Sequence, residues 1–176
     1  MIMFKKRSEQ GFTLLEVLIA VLVFSFGLLG IAGMMTISVR NNHNGYLRSQ
    51  ANFLAENMLD RMRANPTAVW NGWYNGTAVV TSTECSLTAP CTYQDLADQD
   101  ISLWAQSLQV ALPNGAGNVN CVNNSALPGN IQPADLPSIW FPAPVFDGVC
   151  TITVTWDEAN RDSAAEQQSM VLVAQP

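Results

Sequence analysis

The run FTLLEVLIAVLVFSFGLLGIAGMMTISV, Phe12 to Val39, holds 28 residues and one formal charge, Glu16. A helix of that length measures about 42 Å, more than the ~30 Å hydrocarbon core of a bilayer. The run therefore reads as a segment that can span a membrane. Its single carboxylate is the anomaly, since a charge placed within a bilayer costs about 2.5–3.5 kcal/mol on insertion scales. A glycine, Gly11, stands immediately before the apolar residues begin.

Upstream lie Lys5, Lys6 and Arg7, three of the chain's eight basic residues. Downstream of Gly11, five arginines face thirteen acidic residues, a net of −8. The basic flank places the N-terminus in the cytoplasm and the acidic body outside. An acidic body is a poor surface for nucleic acid, because phosphate recognition is dominated by Lys and Arg. No nucleic-acid partner is expected.

The apolar run does not stop at a turn. No proline occurs before Pro66. Leu47, Ala51, Leu54, Met58 and Met62 recur at three- and four-residue spacings, one face of a helix. Asn65–Pro66 is a stop signal. We therefore expect one nearly continuous helix from Phe12 to about Ala64, apolar all round at first and on one face later. Asn41, Asn42 and Gly45 mark a place where it can soften. Gly27, Gly30 and Gly33 lie along one face. They fit either close helix–helix approach in lipid or a locally weak helix that stretches or unwinds.

Residues 67–92 read as irregular, with Trp70, Trp73 and Tyr74 covering a core more readily than forming a contact surface. Ala97, Ile101, Trp104, Leu108 and Ala111 form a second helical stripe, over roughly 93–112. Asp95, Asp98 and Asp100 crowd its first turns, where the helix dipole favours carboxylates. They lack the spacing of a calcium loop. Six of the nine prolines fall between Pro113 and Pro144, so that region is loop-rich, with a short strand around 119–122. In CTITVTW, Cys150, Ile152, Val154 and Trp156 alternate with threonines, the period of a half-buried strand. MVLVA, Met170 to Ala174, reads as its antiparallel partner. DEANRDSAAEQQ between them is a hairpin loop, with Asp157 and Glu158 in a solvated turn.

The four cysteines, Cys85, Cys91, Cys121 and Cys150, all lie in the exported part, where an oxidising compartment favours disulfides. Three pairings are open; we expect Cys121 with Cys150 and Cys85 with Cys91. No C-x-x-C spacing occurs and the single histidine, His43, is remote in sequence, so no metal site is expected. The chain carries no G-x-S-x-G, phosphate loop or H-E-x-x-H pattern. We expect neither an enzyme nor a cofactor. The sequons at Asn75 and Asn123 occur easily by chance and carry no assignment.

The N-terminus carries the specific signal. A cut between Gly11 and Phe12 would leave an α-ammonium on Phe12, one helical turn from Glu16. In low dielectric the two charges attract strongly and relieve each other's desolvation, within one chain or between neighbours. A conventional signal peptide, with a cut after the small residues Gly30-Ile-Ala32, would leave Glu16 unexplained.

KKRSEQGFTLLEVLIA resembles the leader and mature start of type IV prepilins: a short basic leader, glycine, phenylalanine, then glutamate as the fifth mature residue. The resemblance implies cleavage after Gly11 by prepilin peptidase and N-methylation of Phe12. It assigns Glu16 to assembly register. It also implies residence in the bacterial inner membrane, with the N-terminus cytoplasmic and the body periplasmic, followed by entry into a fibre, at its base or tip. Partners would be the peptidase, other minor and major pilins met through the N-terminal helix, and the inner-membrane assembly machinery.

The implied fold is α+β: a long N-terminal helix, half transmembrane and half packed on an antiparallel sheet, with an additional short helix. Expected regions are a leader, 1–11; a transmembrane or filament-core segment, 12–39; and a periplasmic globular domain, 40–176. AENMLDRMRANP, DISLWAQSLQVALPNG and CTITVTWDE are further similar to PilV-like minor pilins, the type IV pilus modification proteins. A minor pilin acting in assembly initiation at the tip complex is the function implied, and a pseudopilin of type II secretion is the alternative. Where major pilins often carry a helix-kinking proline, this chain has Gly33.

Overall fold

The computed structural model describes residues 11–82, 91–124, 145–158 and 166–176. Among these residues the elements follow in the order α1 (Leu14–Ala64), α2 (Pro66–Trp70), β1 (Gly76–Thr77), α3 (Tyr93–Ala111), β2 (Ala116–Val122), β3 (Val149–Glu158) and β4 (Glu166–Ala174). The chain divides into two units, Met1–His43 and Asn44–Pro176.

In the first unit, α1 is exposed at every residue from 14 to 43. It is the one described helix long and apolar enough to cross a membrane. Hydroxyls inside this apolar stretch are satisfied locally. Ser25 Oγ donates to Val21 O at 2.7 Å and Thr36 Oγ1 to Ala32 O at 3.1 Å. A polar group in hydrocarbon without such a partner would cost several kcal/mol. A Cβ added at Gly27, Gly30 or Gly33 would meet nothing within 4 Å, so packing within this chain does not require glycine at any of the three. The softening expected at Asn41–Gly45 does not interrupt the helix assignment.

In the second unit, α1 buries Leu47, Ala51, Leu54, Ala55, Met58, Leu59 and Met62. This is the face the periodicity marked, widened by Ala55 and Leu59. The helix ends where Asn65 turns out of helical geometry. Pro66 has no N–H to continue the ladder, but its fixed φ suits a first helical position. The Asn65 side chain accepts from Ala68 N–H at 3.3 Å and caps α2. Its amide also donates to Tyr93 O at 2.8 Å, tying α2 to the start of α3. The sequence marked the stop and missed the short helix after it, because five residues are too few to show a period.

The sheet is antiparallel, in the order β1-β2-β3-β4. β3 turns Cys150, Ile152, Val154 and Trp156 inward, each at most 2 % exposed. β4 sets Met170, Leu172 and Ala174 beside them. The C-terminal part of α1 packs on this face in one core cluster with α3. Trp70 and Tyr74 are buried and Trp73 is half-buried, so these aromatics serve the core. Strands β3 and β4 run further than their apolar patterns. Asp157 pairs with Gln167 and Glu158 with Glu166, so polar residues expected in a loop continue the ladder.

Glu158 corrects the expectation of a solvated turn. It is 8 % exposed. Its Oε1 accepts from Trp156 Nε1 at 3.3 Å and from Arg48 Nε at 3.5 Å. Arg48 comes from α1, 110 residues away, which is why no local pattern reveals the pair.

Helix α3 starts at a capping box. Thr92 Oγ1 accepts from Asp95 N–H at 3.2 Å, and Asp95 Oδ2 accepts from Thr92 N–H at 3.0 Å. The Thr92 hydroxyl also donates to that oxygen at 2.7 Å. Hydrogen bonds from the Thr92 hydroxyl and N–H hold the Asp95 carboxyl below its ordinary range. A depressed folded-state pKa contributes stability that is present above the unfolded value, about 3.9, and is lost as pH falls through the folded value. Melting temperatures of the parent and Asp95→Asn should therefore converge on acidification below about pH 4. Parallel melting curves down to about pH 2 would show that the carboxylate contributes nothing to the cap.

Candidate functional site

Two groups of residues stand out, one at the start of α1 and one in the globular unit. Gly11, Phe12 and Thr13 precede α1 and are not helical. Thr13 caps the helix. Glu16 N–H donates to Thr13 O at 3.1 Å and to Thr13 Oγ1 at 3.3 Å, and Val17 N–H donates to Thr13 O at 3.3 Å. Thr13-x-x-Glu16 is the pattern of a capping box. Only the threonine half of that box forms. The Glu16 carboxylate makes no hydrogen bond among the described residues. It lies in the first turn and is exposed, and Phe12 is 82 % exposed. The first turn of a helix presents free N–H groups and the positive end of the dipole, a favourable place for a carboxylate.

Gly11 is informative through what it lacks. Among the described residues, a Cβ there would meet nothing within 4 Å. The described residues therefore make no demand for glycine at that position. Residues 1–10, with the basic leader, lie outside the described residues.

In the globular unit, Asp100 is the junction of a polar network. Its Oδ1 accepts from Arg61 Nη1 at 2.8 Å and its Oδ2 from Tyr74 Oη at 2.8 Å. Arg61 Nε also donates to Asn57 Oδ1 at 2.9 Å. Burial pushes the Tyr74 phenol well above its ordinary value, and the Asp100 carboxylate adds to this by charge and by hydrogen bond. Tyr74 is therefore a neutral donor at every physiological pH. The sequence placed Asp100 with Asp95 and Asp98 as an answer to the helix dipole. The structure instead places it two turns into α3, where it binds α1 to the segment before β1.

This network joins α3 to α1 and to the segment before β1. It holds structural elements together. Among the described residues no three His, Cys, Asp or Glu side chains gather as metal ligands do.

Cys121 and Cys150 face each other directly on β2 and β3 and form a disulfide, with Cα atoms 3.9 Å apart. Cys91 is also disulfide-bonded. Its expected partner, Cys85, lies outside the described residues. Non-reducing peptide mapping should return Cys121 and Cys150 in one linked species. Recovery of either as a free thiol, or linked to Cys91, would contradict the strand pairing. Beside the bridge, Asn75 Oδ1 accepts from Cys121 N–H at 2.8 Å, extending the ladder ahead of β1.

The sequence reading anticipated the Cys121–Cys150 bridge. It missed Thr13 and Thr92 as caps, although T-x-x-E and T-x-x-D were there to be seen. It missed the Arg61–Asp100–Tyr74 and Arg48–Glu158 contacts, for which no local signal exists.

Two family models match adjoining stretches. The prokaryotic N-terminal methylation motif matches residues 6–32, and the type IV pilin Tt1218 family matches residues 33–102. No curated protein and no solved structure gives a significant match.

Proposed function

The chain is a type IV pilin, and from that premise we propose that it is a minor pilin of a type IV pilus, acting where assembly begins and at the tip complex. Pilins are structural subunits of a pilus or pseudopilus rather than enzymes. The observation that carries the reading is the start of α1. An exposed, non-helical Gly11–Phe12 pair is followed one turn later by a carboxylate with no hydrogen bond among the described residues.

Prepilin peptidase would cut between Gly11 and Phe12. The described residues leave room for a side chain at Gly11, so the glycine answers to the enzyme's site. The new α-amine on Phe12, which would be N-methylated, remains a cation. It meets Glu16 of its own or a neighbouring subunit, which sets the register of the packed helices. The apolar segment 12–39 is first a single membrane span and later part of the filament core. Residues 40–176 form the periplasmic domain. The assembly machinery of the inner membrane and other pilins, major and minor, are the partners.

The finer assignment rests on three blocks similar to PilV. They form the end of α1, most of α3 with the turn after it, and most of β3. A pseudopilin of a type II secretion system is the second reading, since the N-terminal motif serves both machines. Intact-mass analysis of the processed protein should give a chain starting at N-methyl-Phe12. A mature start at Gly33 would end the pilin-type processing claim. Deletion of the gene should remove surface fibres and spare exoprotein release; the reverse outcome selects the pseudopilin.

A further inference from the structure

We infer that Thr13 is a positioning residue for leader removal: its side chain stops α1 one residue after the scissile bond and so keeps that bond outside the helix. The inference rests on the processing proposed above. A peptidase must reach the carbonyl of Gly11 and orient it, which a helical peptide unit, locked in its own hydrogen bonds, resists. The described backbone has the required form. Gly11 and Phe12 are exposed and non-helical, and the helix starts at Leu14.

Nothing in the residue types next to the cut enforces that boundary except Thr13. Phe12 is compatible with a helix, and Gly11 opposes one only weakly, by about 1 kcal/mol relative to alanine. At the edge of an apolar phase the pressure runs towards more helix, because each uncapped N–H is poorly solvated there. Thr13 relieves that pressure from within. Its Oγ1 and its carbonyl oxygen both accept from Glu16 N–H, and the carbonyl accepts from Val17 N–H as well. The Glu16 and Val17 donors are answered without recruiting the residues of the cleavage site.

The cap has a second consequence. In a complete capping box the glutamate would fold back onto the N-cap N–H. Here only the threonine half forms. The Glu16 carboxylate is left for another group.

Removing the cap can change cleavage in one direction only. The scissile segment is already non-helical, so fraying adds nothing, whereas upstream growth of the helix takes the bond into regular hydrogen bonding. Thr13→Val keeps the branched shape and removes the acceptor. Loss of an N-cap shifts the helix boundary by a factor of about five. Thr13→Ser keeps the acceptor.

The experiment measures the initial rate of leader removal from the full-length precursor by purified prepilin peptidase in detergent, with cleavage sites read by mass. The expected result is a parental rate for Thr13→Ser and a roughly three- to tenfold slower rate for Thr13→Val, both cut before Phe12. A parental rate for Thr13→Val overturns the inference and leaves the processing reading standing. So does equal slowing of both variants, since the serine retains the cap. A parent chain that is not cut before Phe12 overturns the processing reading itself.

Discussion

Glu16→Ala is expected to leave leader removal largely intact and to lower incorporation of the subunit into fibres by on the order of a hundredfold or more, the factor that corresponds to breaking a buried ion pair. The two steps separate because they use the residue differently. The proposed cleavage would need an accessible Gly11–Phe12 bond, which the Thr13 cap leaves outside α1. Packing among other helices would need a partner for the α-ammonium that the proposed cleavage creates. In the alanine variant that cation would enter an apolar interior with no anion beside it.

Glu16→Gln is the informative companion. It keeps the length and a hydrogen-bond acceptor and removes the charge, so it should resemble alanine if charge pairing sets the register. The measurement is the ratio of the subunit in sheared fibres to that retained in membranes, with the mature mass checked in both. Normal incorporation of either variant would refute a charge-based register.

The second large effect lies in the globular unit. Trp104→Ala is expected to destabilise it by about 3–5 kcal/mol, the range for removing a large aromatic from a core. Trp104 is 1 % exposed and joins three elements. It sits on α3, its Nε1 donates to Leu54 O of α1 at 2.9 Å, and its ring lies against Gly117 of β2. A Cβ at Gly117 would fall inside the van der Waals envelope of that ring.

Two further substitutions divide the effect. Trp104→Phe retains most of the apolar volume and gives up the hydrogen bond, so its cost should be the smaller of the two. The Leu54 carbonyl remains within a helical ladder, and loss of this one bond is worth about 1 kcal/mol. Gly117→Val attacks the same contact from the strand. It should destabilise by about 1–3 kcal/mol, the usual cost of overpacking. Thermal unfolding of the full-length mature protein, followed by circular dichroism in detergent, measures all three. A Trp104→Ala melting temperature within a degree or two of the parent would show that α3 does not lock the sheet to α1.

The identity of the N-terminal segment was legible in the sequence because its signals are local. One carboxylate in 28 residues, a glycine before it and a basic flank need no folding to be recognised. The same holds for the stripe from Leu47 to Met62, the stripe of α3 and the alternation of β3, which survive as buried faces. The antiparallel pairing of β3 with β4 followed from two adjacent strand patterns.

What the sequence could not supply depends on residues far apart in the chain. Asp100 reads as a dipole partner until folding brings Arg61 and Tyr74 to its two oxygens. Glu158 reads as solvated until Arg48 and Trp156 close over it. Gly117 falls in the loop-rich region ahead of the expected strand, and folding sets it against the Trp104 ring, which occupies the space a side chain would need. Periodicity reports which face of an element is apolar, and a cap or cleavage motif is read within a few residues. The choice of partner for a buried charge, or of the ring that fills a gap, is made by the packing of whole elements, and only the tertiary structure records it.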